Sequence, residues 1–230
     1  MVALGCASKS PESMYKPQPV EAIPPASITA GSETSLLPLD KGNQWTYAVT
    51  VVTVANGRQQ PASNFESTWR VTDSQQSSEG TRATIEVTRN GKVEDTQEWL
   101  VSGKGIYQLA DGKPQITFKP PMPVVVFPLK DGATFKWSGS GPTGFGRPGR
   151  SHSESIIRPS QEVDTDMGRI SAIPVESRTK VDAGDIKGDS ASWVWFAPGT
   201  GVVRLRQEAV SKTRGYILVL KLKSKSLMKS

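Results

Sequence analysis

The sequence predicts an all-β protein whose antiparallel strands form a curved, barrel-like or half-barrel sheet, and three observations carry that prediction. Apolar and polar residues alternate with a period of two through most of the chain after residue 35. Phe65, Ser67, Trp69 and Val71 oppose Glu66, Thr68, Arg70 and Thr72, and Ala83, Ile85 and Val87 oppose Arg82, Thr84, Glu86 and Thr88. Turn residues punctuate the alternating runs, as at Asn90-Gly91, where both positions tolerate the positive φ of a tight hairpin. No segment carries a helical period with caps. About eleven strands with one apolar and one polar face bury the apolar face by curling over their own core as a barrel, half-barrel or two-sheet sandwich, and single-sided alternation favours the curved form.

The elements follow in order along the 230 residues, of which 36% are hydrophobic, enough for one sizeable domain or two small ones. Residues 1–35 hold Pro11, Pro17, Pro19, Pro24 and Pro25 among Ser, Glu, Gln and Ala without a hydrophobic period, and read as a disordered tether. Extended at ~3.1 Å per residue, such a segment holds the folded part tens of ångströms from its attachment point. Residues 36–126 read as a first β half. Trp45, Tyr47, Val49 and Val51 share one face of its opening strand, although Ala48, Val52 and Val54 make the other face partly apolar. A further strand follows Gly91 over residues 92–101.

Residues 127–230 read as a second β half packed into the same domain, with strands near 134–138, 153–157, 168–181, 191–197, 202–211 and 215–223. Two irregular pieces interrupt the pattern. Lys119-Pro120-Pro121-Met122-Pro123 joins the halves and is extended, because each proline fixes φ and removes a donor. Residues 138–150, with Gly139, Gly141, Gly144, Gly146 and Gly149, read as a long excursion that is either functional or mobile.

The halves share motifs in the same order. Leu37-Pro38-Leu39-Asp40-Lys41-Gly42-Asn43-Gln44-Trp45-Thr46-Tyr47 matches Phe127-Pro128-Leu129-Lys130-Asp131-Gly132-Ala133-Thr134-Phe135-Lys136-Trp137 in its proline, leucine, glycine and two alternating aromatics. Trp99-Leu100-Val101-Ser102-Gly103-Lys104-Gly105-Ile106 matches Trp195-Phe196-Ala197-Pro198-Gly199-Thr200-Gly201-Val202 without gaps. Both of the latter read as strand, glycine turn, strand, and the paired motifs predict an internal duplication.

Charge and cysteine usage bound the compartment. The formal net charge is +6, and Lys221, Lys223, Lys225 and Lys229 place much of the excess in what reads as a solvated C-terminal tail. The single cysteine, Cys6, excludes a disulfide framework or a thiolate metal cluster within one chain. Ala3-Leu4-Gly5-Cys6-Ala7-Ser8 resembles the lipobox of bacterial lipoproteins, in which the cysteine is acylated and becomes the mature N-terminus. Ala3 stands where leucine is usual, and only five residues precede Cys6, so the charged and apolar regions of a signal peptide are expected upstream. No apolar run approaches the ~18 residues of a spanning helix, so attachment is expected through lipid on Cys6.

The Trp-x-Ala-Pro-Gly-x-Gly-x-Val segment at residues 195–203, with the Pro-Leu-x-x-Gly-x-x-aromatic-x-aromatic openings, resembles a loose group of uncharacterised bacterial secreted proteins and lipoproteins. That resemblance covers residues 36–227 and implies envelope location and a β fold, without catalytic residues to carry over.

Candidate chemistry is sparse. His152 stands alone between Ser151 and Ser153, without the nucleophile and acid that a triad needs. Asp164 and Asp166, and Asp182, Asp185 and Asp189, lack calcium-loop spacing and read as turn residues. Arg147, Arg150 and Lys136 beside Phe145 and Trp137 read as loop solubility and core, not a nucleic-acid surface. No catalytic residue, metal or cofactor is expected. If the sheet forms a cup, Trp45, Trp69, Trp99 and Trp137 are the candidate ligand-lining aromatics.

The leading expectation is therefore a non-enzymatic lipoprotein on the periplasmic or extracellular face of the bacterial envelope, whose β domain binds an apolar ligand or another envelope component. The alternatives are a structural or assembly subunit that docks on protein partners and, third, an envelope hydrolase, whose paired carboxylates are defined by separation in space and not in sequence.

Overall fold

The structure, a computed structural model, describes residues 33–56 and 58–228. Cys6, the prolines of the tether and Lys229 lie outside the described residues. Alternation yields fourteen strands in chain order. They are β1 (Gln44–Ala55), β2 (Arg58–Gln59), β3 (Ser63–Ser77), β4 (Gly80–Arg89), β5 (Lys92–Ser102), β6 (Gly105–Asp111), β7 (Ile116–Val126), β8 (Thr134–Pro142), β9 (Pro148–Ile157), β10 (Gln161–Thr165), β11 (Gly168–Ala183), β12 (Ile186–Ala197), β13 (Gly201–Ser211) and β14 (Arg214–Ser226). All pair antiparallel and nearly all with their chain neighbours. β9 pairs β11 along Ile157↔Val175 to Arg150↔Asp182, and β14 returns to β1 from Ser226↔Gln44 to Arg214↔Ala55. Twelve strands thereby close a barrel, with β2 and β10 outside the ring. Closure, not a half-barrel, is what removes the sheet edges.

One end, here called the base, is stoppered by the chain that enters it. Glu33–Leu36 forms a 3-10 turn where a continuing tether is expected, because Leu36, Leu37 and Leu39 are all buried in the core. The Glu33 carboxylate accepts from the Leu129 N–H at 2.8 Å, and the Ser35 carbonyl accepts from Gly199 N–H at 2.9 Å, so the segment is tied to both sides of the base. Asn43, fully buried, donates to the Pro38 carbonyl and accepts from Met228 N–H, fastening the two ends of the described chain together. Trp45 and Tyr47 reach from β1 to β13, donating from Nε1 to the Thr200 carbonyl and from Oη to the Val202 carbonyl at 2.9 Å. The opposite end, the mouth, carries the turns at residues 90–91, 112–115, 143–147, 184–185 and 212–213.

Two irregular pieces resolve into strands. β7 contains the three prolines, and β7 and β8 share a single register pair, Lys119↔Ser140. Prolines cannot donate to a ladder, so the barrel has a thin seam there. The glycine-rich segment is β8 and β9 with only residues 143–147 between them, a correction to the excursion read from composition. Its glycines serve close approach: a Cβ at Gly139 would lie 2.6 Å from the Lys119 carbonyl oxygen, and one at Gly141 would lie 2.5 Å from the Phe118 ring.

The repeated motifs sit six steps apart on the ring. One pair opens β1 and β8, and the other joins β5 to β6 and β12 to β13. The hairpins differ, however, in a way the gapless match does not show. Ser102 pairs with Gly105 across two residues, whereas Ala197 pairs with Gly201 across three, with a bulge between Trp195 and Phe196.

The C-terminal lysines are a partial correction: Lys221 and Lys223 fall in the strand expected over 215–223, and that strand continues through Lys225, which the sequence reading left in a tail. Lys221, Lys223 and Lys225 lie on β14, alternating with buried Leu220 and Leu222. Lys221 pairs with Asp166 at 2.7 Å, Lys223 with Glu66, and Lys225 donates to Thr200 Oγ1 at 2.7 Å. A strand's outward face, not a solvated tail, accounts for their spacing.

Candidate ligand-binding lumen

The upper part of the barrel encloses a cavity of about 370 Å³. Its lining follows from strand direction. Along β5 from mouth to base the inward residues run Asp95, Gln97, Trp99, Val101; along β12 they run Ser190, Ser192, Val194, Phe196; along β11 they run Thr179, Ser177, Val175. Every second residue faces inward, and β5, β11 from Thr179 and β12 from Ser190 pass from polar to apolar toward the base, while Val181 nearer the mouth and Phe118, Met122, Leu218 and Leu220 on β7 and β14 make other parts of the wall apolar. One wall is hydroxyl-rich, with Thr179 Oγ1 donating to Ser153 Oγ at 3.1 Å and Ser155 and Ser177 Oγ atoms 2.7 Å apart. The facing wall, β5 and β6, holds Asp95, Gln97, Gln108 and Asp111.

Three of the four candidate aromatics, Trp69, Trp99 and Trp137, line this cavity. Trp99 Nε1 donates to Gln97 Oε1 at 3.0 Å, Trp137 Nε1 to the Pro120 carbonyl at 3.2 Å, and the Trp137 ring meets Phe118 edge-on at 5.9 Å. Trp45 lies lower, against Gly201 and the base stopper, and does not line the cavity. Trp195 does not line it either: its ring lies under the Arg204 guanidinium at 5.3 Å.

Two carboxyls at the mouth escape the sequence reading. Asp95 Oδ1 accepts from the N–H groups of Thr96 at 2.7 Å and Gly112 at 2.8 Å. Asp111 is pushed up to about 8, first by burial, then by the charge of Asp95 and a hydrogen bond with it, while the Gly112 N–H and the Gln97 side chain pull weakly the other way. Its Oδ1 is buried with no hydrogen-bond partner. Tyr216, on the far side of the mouth, is raised to about 12 by burial and then by the Asp111 charge. A sequence signal for Asp95 existed, since it shares parity with Trp99 and Gln97. For Asp111 none did, because bulges between Glu98 and Trp99 and between Gln108 and Ala110 reset the pairing around it.

Residues 143–147 fold over the mouth. A Cβ at Gly144 would lie 3.0 Å from Tyr216 Oη and 3.4 Å from Ala209, so a side chain there would have to push these neighbours back by a few tenths of an ångström for the loop to sit this low. Phe145 packs on Val181, Ala183 and Ile186, and Arg147 pairs with Asp185 at 2.8 Å.

The remaining candidate groups are occupied on the surface. His152 Nδ1 is 2.6 Å from Ser138 Oγ, Asp164 pairs with Arg169, and Asp182 pairs with Lys187 and accepts from Gly184 N–H. Among the described residues no three His, Asp or Glu side chains converge in a metal-holding group.

No protein-family model matches the chain, and comparison with curated proteins gives no match, so it is assigned to no characterised family. Solved structures similar to it include a candidate lipoprotein from Parabacteroides distasonis, at 12% identity and TM-score 0.49 over 83% of this chain and 98% of that one. A candidate exported protein with a YmcC-like fold from Bacteroides fragilis is similar at 14% identity and TM-score 0.44, over 83% and 98%. The hypothetical lipoprotein YmcC from Escherichia coli is similar at 11% identity and TM-score 0.33, over 76% and 87%.

Proposed function

We propose that this chain is a non-enzymatic, lipid-anchored protein of the bacterial cell envelope that holds a small ligand in the barrel lumen, its two six-strand halves having arisen by duplication. The observation that carries the ligand reading is the cavity of about 370 Å³, a volume in the range of small-molecule sites, floored by tryptophans and rimmed by a few convergent polar groups. The mixed lining, with Asp95, Asp111, Gln97 and Gln108 on one wall and tryptophans and leucines elsewhere, refines the expected apolar ligand to one with an apolar body and a polar end.

The lipobox-like context of Cys6 supports the anchor. The described chain enters the barrel at the stoppered base, the end opposite the mouth. Native mass spectrometry of protein taken from its own membranes should show a co-purifying small molecule; bare protein across repeated preparations would overturn the ligand reading. Cys6→Ser in the precursor should move the protein from the membrane to the soluble fraction, and unchanged membrane retention would refute acylation.

A further inference from the structure

We infer that the lumen takes an organic cation, with an ammonium group seated at Asp95 and Asp111 and an apolar body lying over Trp99 and Trp69. The inference rests on the lumen being a ligand site and names the ligand class. Among the cavity-lining side chains Asp95 and Asp111 are the only acidic groups, and no lysine or arginine lines it. Asp95 already accepts two backbone N–H groups, so its position is fixed by the β5 backbone and the turn after β6. Asp111 Oδ1, in contrast, is sealed from solvent and lacks a donor. A buried acceptor without a partner is costly, and a ligand that brings N–H donors relieves that cost.

Charge selects among donors. An ammonium presents three N–H groups and a positive charge to the two carboxyls, and a charge-assisted bond is roughly twice as strong as a neutral one. A hydroxyl supplies one neutral donor. A carboxylate meets like charge with no cation nearby to offset it, so fatty acids are rejected. Below the acid pair, Trp99, Trp69 and Leu218 give an apolar shaft, and the tryptophan faces add attraction for a nearby cation. The cavity holds a chain of about eight carbons.

The test uses full-length Cys6→Ser protein in solution at pH 7, titrated by calorimetry with octylamine, octanol and octanoate, which share a tail and differ in the head. Octylamine should bind at least about tenfold more tightly than octanol, and octanoate should not bind. The double variant Asp95→Asn/Asp111→Asn, which keeps shape and leaves the mouth with no ionisable carboxyl, should bring octylamine to within about threefold of octanol, whereas Asp111→Asn alone leaves the Asp95 charge and should keep the gap. If octanol matches octylamine, or if the double variant keeps the tenfold gap, the cation assignment falls while the lumen reading stands. If none of the three binds, the lumen reading fails and the cation assignment with it.

Discussion

Gly201→Val should lower the unfolding free energy by about 3–6 kcal/mol, a large part of the ~5–15 kcal/mol that a domain has. Gly201 has φ +97°, a backbone conformation that a β-branched residue adopts only under strain of about 1–3 kcal/mol. A Cβ there would lie 3.0 Å from Trp45 Nε1 and 3.2 to 3.3 Å from the indole ring, before the valine methyls are counted. Trp45 is 1% exposed and cannot retreat, so the crowding adds about 1–3 kcal/mol and endangers its bond to the Thr200 carbonyl, worth about 1 kcal/mol. Urea unfolding followed by tryptophan fluorescence measures the loss. Gly199→Ala is the control: at φ +64° with nothing within 4 Å of an added Cβ, it should cost only about 1 kcal/mol. Equal losses from the two substitutions would show that the contact with Trp45 is immaterial.

The second large effect is on the pH dependence of stability. The Asp111 carboxyl titrates at about 8 in the folded protein against 3.8 for the free group, so the native state holds a proton that the unfolded chain releases. The Asp111 contribution to stability is therefore full below about pH 4, falls as pH rises toward 8 with a slope approaching ~1.4 kcal/mol per unit, and levels off above. Asp111→Asn is neutral throughout and its amide can still donate to Asp95. By pH 8 it should be more stable than the parent by about 2–5 kcal/mol, the difference vanishing near pH 4. Denaturant unfolding from pH 4 to pH 9 tests this, and parallel profiles for parent and variant would show that Asp111 is ionised in the fold.

Period-two alternation was enough to read the strand class and most strand positions, because a strand with one face buried writes that face into its own residues. Phe65 to Val71 and Ala83 to Val87 sit in β3 and β4 as their alternation requires. What composition obscured was glycine. Gly139 and Gly141 look like loop residues, yet they lie mid-strand because Lys119 and Phe118 press on the positions a side chain would take. The two-residue spacing of Lys221, Lys223 and Lys225 continues the strand read over 215–223, and with Leu220 and Leu222 inside it extends the alternation to Lys225.

The lumen was half legible. Trp69, Trp99 and Trp137 are inward by parity alone, and the same parity carries Asp95 and Gln97 inward with Trp99. Asp111 was not legible, since its approach to Asp95 depends on two bulges, and a bulge depends on partner strands, not on the local sequence. The misplacement of Trp45 has a similar origin. The Glu33–Leu36 turn fills the base and takes Trp45 into the core, and nothing in β1 itself signals a stopper.

The pairing of β14 with β1 bears on the order in which the molecule can be built. Every other ring contact joins strands close along the chain, but Gln44 pairs with Ser226, and Trp45 and Tyr47 bond across 155 residues. Local hairpins close quickly, whereas a contact of that span is delayed by the entropy of closing the chain between. Until the last thirteen residues of strand dock, β1 and β13 are both bare edges able to pair with another molecule. The C-terminal strand is thus the clasp of the barrel, and a nascent chain is guarded against intermolecular pairing only once its final strand has been made.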